Sequence, residues 1–156
     1  NGMRLTNNVI YDIRTQNGSN TSQTSNASGI RLSSGTGHQV YYNSVHLYGT
    51  YTNASTAGAA SAALTITSTA VASLDIRNNV FSNTMNTNST GLSFFNAVWL
   101  PTSYTMSNLT INNNAYHVDT TANHEVGRIG TATTSPVYLD VAAWKAITET
   151  GVPGND

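Results

Sequence analysis

Four segments of this chain share one pattern: an apolar residue, any residue, Asn, then Asn or Ser, then a second apolar residue. They are Leu5-Thr6-Asn7-Asn8-Val9, Tyr41-Tyr42-Asn43-Ser44-Val45, Ile76-Arg77-Asn78-Asn79-Val80 and Ile111-Asn112-Asn113-Asn114-Ala115. The first Asn of each falls at 7, 43, 78 and 113, giving steps of 36, 35 and 35 residues. A fixed period of this size makes each repeat one supersecondary unit, which buries its apolar face only by stacking on its neighbours. A second short apolar element lies upstream of the later copies, at Gly29-Ile30-Arg31-Leu32, Ala63-Leu64-Thr65-Ile66 and Gly91-Leu92-Ser93-Phe94. Each repeat is therefore expected to hold at least two short strands.

Helical arrays also repeat near this length, but they need Leu, Ala, Glu and Lys at a 3.6-residue spacing. Here Asn, Thr and β-branched residues alternate with apolar ones over five to seven positions between Gly, Ser and Asn, which is strand chemistry. Stacking in identical register would place Asn7, Asn43, Asn78 and Asn113 above one another. An amide carries both a donor and an acceptor, so such a column can bond along its length at the roughly 4.8 Å spacing of adjacent strands. These four asparagines are expected to form an internal ladder.

Composition supports a folded, β-rich chain. Thr, Asn and Ser fill 61 of the 156 positions, a bias that also occurs in disordered segments. Disordered chains lack aromatic and β-branched residues, however, and this one keeps 8 Tyr, 3 Phe and 2 Trp. Only 8% of residues are charged, against about 25% in an ordinary soluble domain, and the net charge is −1. Six cations scattered along the chain form no basic footprint, so nucleic acid is excluded as a partner. The absence of cysteine excludes thiolate metal sites, disulfide scaffolds and Cys nucleophiles. No apolar run reaches the length of a membrane span, so no membrane insertion is expected. The start at Asn1-Gly2 reads as a processed product or an excised segment.

Stretches such as Ile76-Arg77-Asn78-Asn79-Val80-Phe81-Ser82-Asn83, and the run from Gly29 to Gly49, resemble the repeats of pectate-lyase-like parallel β-helix proteins found in large secreted bacterial surface proteins. The resemblance implies an all-β fold, a right-handed parallel β-helix solenoid of about four coils with a period of 35–36 residues. Residues 1–156 would form a single segment of a larger protein, with coils over about 3–139 and a C-terminal helix and tail over about 140–156. For the helix, Asp140 is the expected N-cap, Trp144 the anchor and Gly151 the stop.

The period also assigns columns. Leu5, Tyr41, Ile76 and Ile111 are expected to face inward, as are Val9, Val45, Val80 and Ala115. Strand alternation then turns Thr6, Tyr42, Arg77 and Asn112 outward on one side of the Asn corner, and Ile10, His46, Phe81 and Tyr116 outward on the other. His46, Phe81, Tyr116, Tyr42 and Arg77 are thus the candidates for stacking and bonding a sugar ring. Residues 14–28, 49–61 and 83–90 are expected as loop excursions in equivalent places of successive repeats, suited to line a binding wall.

Catalysis finds little support. Polysaccharide-cleaving enzymes on such scaffolds need clustered carboxylates. Asp12, Asp75, Asp119 and Glu125 have no carboxylate one period away. Asp75 and Arg77 are two apart and most simply form a surface ion pair. His124-Glu125-Val126-Gly127-Arg128 begins like a zinc-protease helix but ends in Arg where the second ligand belongs. His46 and His117 are expected on opposite faces, so no metal site and no cofactor is expected. The expected role is a non-catalytic structural or adhesive module, extracellular or at the cell surface. Its expected partners are a polysaccharide, another surface protein, further coils of the same chain, or a second copy joined through open ends. The alternative is a carbohydrate-binding or carbohydrate-active protein of the lyase or hydrolase kind.

Overall fold

The structure, a computed structural model, describes residues 2–13, 20–52, 58–131 and 135–156. Each repeat contributes three strands. The first gives β1 (Arg4–Thr6), β2 (Val9–Tyr11) and β3 (Ala27–Leu32); the second gives β4 (Gln39–Tyr41), β5 (Ser44–Tyr51) and β6 (Ala60–Ile66). The third gives β7 (Leu74–Arg77), β8 (Val80–Thr87) and β9 (Phe94–Leu100); the fourth gives β10 (Leu109–Asn112), β11 (Ala115–Val118) and β12 (His124–Ile129). A two-residue strand β13 (Val137–Tyr138) and the helix α1 (Val141–Thr148) follow.

These strands form three separate sheets, of four, four and five strands. Sheet A is ordered β1-β4-β7-β10, sheet B β2-β5-β8-β11, and sheet C β3-β6-β9-β12-β13. All pairings are parallel except β12 with β13, which is antiparallel. The expectation of one right-handed β-helix of about four coils is corrected accordingly: the architecture is three mostly parallel sheets with one short C-terminal helix. A sequence period determines which strands lie side by side, but it does not determine how the chain passes between sheets. The antiparallel β13 ends sheet C in a way that repetition of the period would not produce.

The corner between sheets A and B shows why the expected ladder is out of register. Asn7, Asn78 and Asn113 have φ of 60°, 57° and 57°, the left-handed region that Asn tolerates better than most residues. In the second repeat this place belongs to Tyr42, with φ of 55°. The ladder runs through the next residue, Asn8, Asn43, Asn79 and Asn114. Each Nδ2 donates to the Oδ1 of the following asparagine, at 2.8, 3.0 and 2.9 Å. That Oδ1 also accepts the main-chain N–H of the preceding asparagine, at 3.1, 2.9 and 3.0 Å. Of the four expected members, only Asn43 stands in the column; Asn7, Asn78 and Asn113 make the turn beside it.

Because the corner takes two residues, one turning and one buried, the face of the following strand is the reverse of that expected in the first, third and fourth repeats, while in the second Val45 faces inward and His46 outward as expected. Ile10, Val45, Phe81 and Tyr116 pair across sheet B, and all four pack into or against the common core. Phe81 is fully buried, whereas Val9 and Val80 are exposed. Phe81 and Tyr116 are therefore corrected from sugar-stacking positions to interior ones. In sheet A the inward column is Leu5, Val40, Ile76 and Ile111. Tyr41 shares the outward column with Thr6, Arg77 and Asn112. Inward residues of all three sheets join one apolar cluster. It also admits Asn83, whose amide bonds the Ser61 hydroxyl and the Asn96 carbonyl. The third expected excursion is thus largely strand β8, while 14–19 and 53–57 of the first two lie outside the described residues.

The C-terminal segment covers one end of the sheets. Asp140 caps α1 by accepting from the Ala143 N–H at 2.8 Å. Trp144 is fully buried against Gly127, where a Cβ would lie 2.0 Å from the indole. Beyond α1, Asn155 and Asp156 act on β10 as a further strand would. Asn155 Oδ1 accepts from the Ile111 N–H, its Nδ2 donates to the Leu109 carbonyl, and the Asp156 N–H donates to the Ile111 carbonyl. The Asp156 carboxylate is the last rung of the ladder, accepting from the Asn114 N–H at 2.9 Å.

Candidate functional site

The outward face of sheet A carries two adjacent columns, Arg4, Gln39, Asp75, Thr110 and Thr6, Tyr41, Arg77, Asn112. Parallel pairing holds these side chains at the interstrand spacing, so chemistry scattered over three repeats converges. The Tyr41 hydroxyl donates to Asp75 Oδ2 at 2.7 Å, and Arg77 Nε donates to Asp75 Oδ1 at 2.5 Å. The Arg4 guanidinium lies 5.6 Å from the centre of the Tyr41 ring, within cation–π range. The Tyr42 ring stands edge-on to Tyr41, with centres 6.5 Å apart. Together with Asn78 these five residues line an open shelf of about 280 Å³.

Each side chain on the shelf has a physical reason for its pose. Asp75 has both oxygens engaged, so it orients Tyr41 and Arg77 and is not positioned as a free acid or base. Desolvation, followed by the hydrogen bond to Asp75 and the charge it carries, raises the Tyr41 hydroxyl above its usual pKa. It therefore remains a neutral donor through the physiological range. Arg77 keeps nearly half of its side-chain surface in water, which leaves guanidinium donors available beside the one that holds Asp75. Tyr42 is 59% exposed and projects from a left-handed backbone.

The expected sugar-binding residues therefore separate. Tyr42 and Arg77 meet on the shelf. Phe81 is interior, and Tyr116 donates to Asp156 Oδ2 at 3.1 Å, its hydroxyl pKa raised well above normal by burial and then by the Asp156 charge. His46 lies on the outer face of sheet B, in one column with Tyr11, Ser82 and His117. His46 and His117 consequently share a face, contrary to expectation, with Ser82 between them and bonded to His117 at 3.1 Å. Arg4 and Asp75 were not foreseen as shelf partners of Tyr42. The signal was present, because Arg4, Tyr42 and Asp75 lie close to the Asn corner of successive repeats.

A larger hollow of about 470 Å³ lies beside the 118–122 loop, with His124 and Leu139. The His124 ring is fully committed there. Its Nε2 donates to the Met85 carbonyl at 2.8 Å, and its Nδ1 is hydrogen-bonded with the Thr121 hydroxyl at 2.6 Å. Glu125 and Arg128 form a buried ion pair at 2.9 Å, with the guanidinium 3.4 Å from the centre of the Phe94 ring. Among the described residues no three His, Cys, Asp or Glu side chains gather where they could hold a metal ion, and no helix is long and apolar enough to cross a membrane. No family model matches the chain, and no curated protein or solved structure matches it significantly.

Proposed function

We propose that this protein is a non-catalytic adhesive module acting outside the cell, and that it holds a polysaccharide on the sheet A shelf. The observation that carries this proposal is Tyr42. Three repeats place Asn at the left-handed corner, and the second places a bulky aromatic there, at a steric cost, with its ring out in solvent. Strain of this kind persists where the surroundings hold it and a side chain is needed in that place. A flat ring beside two guanidiniums and a neutral phenol suits a pyranose, whose C–H face packs on the ring while its hydroxyls and any carboxylate bond the donors. The shelf carries two positive groups against one carboxylate, which favours uronate-containing glycans over neutral ones.

The test is calorimetry against a panel of neutral and uronate polysaccharides, run alongside assays for new reducing ends and unsaturated products. Saturable binding is expected, weakened about tenfold or more in Tyr42→Ala and in Arg77→Ala, with no depolymerisation. Binding indifferent to both substitutions would remove the shelf from the proposal, and depolymerisation by the purified protein would overturn its non-catalytic part.

A further inference from the structure

The chain has four histidines, and the structure divides them into two pairs. His38 and His124 are buried with both ring nitrogens spent: His38 Nδ1 accepts from the Met3 N–H at 3.1 Å and its Nε2 donates to the Ser34 carbonyl at 2.7 Å, while His124 is held by Met85 and Thr121. His46 and His117 are exposed on the outer face of sheet B, two strands apart in one column, with Ser82 of β8 between them. Both rings reach onto β8, from opposite sides. His117 Nδ1 lies 3.1 Å from the Ser82 hydroxyl, and His46 Nε2 lies 3.4 Å from the hydroxyl of Thr84, two places further along the same strand. The other nitrogen of each ring, Nε2 of His117 and Nδ1 of His46, has no partner among the described residues. The Tyr48 ring flanks His46, with centres 5.2 Å apart.

We propose that this face of sheet B binds one divalent transition-metal ion of the zinc class, held between the His46 and His117 imidazoles above β8. The expectation of no metal site rests on opposite faces for these two residues, and their shared column removes its ground. Imidazole suits zinc, copper and nickel, and a ligating histidine commonly donates its second ring N–H to an oxygen that fixes its tautomer and orientation. His117 is set in this way: with Nδ1–H donating to the Ser82 hydroxyl, Nε2 keeps its lone pair for the ion. His46 gives up only a long contact with Thr84 to turn Nε2 to the same ion. Two interstrand spacings separate the Cα atoms by about 9–10 Å, a span that two imidazoles close from either side with metal–nitrogen bonds of about 2.0–2.1 Å. Two protein ligands leave the remaining positions to water, so the site is open and weaker than a closed structural zinc site. Calcium and magnesium, which require oxygen ligands, do not match this donor set. The site shares no residue with the shelf and lies on a different sheet, so the two proposals stand or fall separately.

The test is calorimetric titration of the full chain with zinc chloride at neutral pH, followed in parallel by NMR of the histidine rings. One zinc ion per chain should bind, and the His46 and His117 resonances should move together while those of His38 and His124 stay in place. His46→Gln and His117→Gln change exposed side chains, so the urea midpoint of the metal-free protein should hold while the one-to-one binding is lost in each. Ser82→Ala removes only the hydroxyl that orients His117, so it should weaken zinc about tenfold with both rings still responding. Unchanged affinity in Ser82→Ala would remove its positioning role. Absence of saturable binding, binding that survives either glutamine variant, movement of one ring alone, equal binding of magnesium chloride, or one zinc shared between two chains would overturn the proposal.

Discussion

At the scale of single residues, the corner between sheets A and B sets two asparagines side by side to do different work. The first turns the chain through a left-handed φ and the second donates along the ladder. In the first, third and fourth repeats both are Asn, so composition cannot tell them apart, and the second repeat decides the alignment. Tyr42-Asn43 looks like a first asparagine preceded by an aromatic residue, whereas Tyr42 is the turning residue and Asn43 the ladder member. The repeat and its period were therefore legible, and the register was not, because the deciding variable was a backbone angle. Tyr42→Asn tests this assignment. It should stabilise the protein by about 0.5–1 kcal/mol in urea unfolding, since Asn bears the left-handed conformation at lower cost. The same variant should lose affinity for the shelf ligand. A destabilised Tyr42→Asn would show that the tyrosine is held there by packing.

At the scale of elements, period-2 reasoning succeeded within strands and failed across the corner. The Asp75–Arg77 pair on one face of β7 was legible because both residues lie on one uninterrupted strand. Phe81 and Tyr116 were placed outside because the two-residue corner shifts the alternation by one, which moves a whole strand to the other face. The Glu125–Arg128 pair was hidden for a different reason: its i,i+3 spacing reads as a helix face, while both residues belong to β12, where they are buried. Burial raises the Glu125 carboxyl above its ordinary 4.5, and Arg128 opposes that rise by charge and hydrogen bond. An acid whose folded pKa is raised contributes stability below its unfolded pKa and loses that contribution as pH climbs through the folded value. Arg128→Met removes the opposition, so Glu125 should rise further and the protein should be about 3–5 kcal/mol less stable at pH 7. The deficit should shrink as pH falls toward 4.5 and Glu125 takes up a proton. A deficit constant across that range would mean that Arg128 acts through its packing on Phe94.

At the scale of the whole molecule, the stability of the β10 end should depend on the tail, because Asn155 and Asp156 close that end of the ladder and of sheet A. The tail supplies partners for the Ile111 N–H, the Ile111 and Leu109 carbonyls and the Asn114 N–H, and it is anchored in turn by the Thr148 hydroxyl, which donates to the Asp156 carbonyl at 2.6 Å. Each buried group left without its partner costs about 1–3 kcal/mol, so removal of residues 152–156 should lower stability by several kcal/mol. Hydrogen exchange locates the effect. In the intact protein the amides of β10 should open only with global unfolding, while outward-facing amides of β1 and β2 exchange by local opening. In the truncated protein β10 should join the fast class, and β1 and β2 should be unchanged. Slow exchange at Ile111 after truncation would show that the apolar stack beneath it, and not the tail's hydrogen bonds, closes that end.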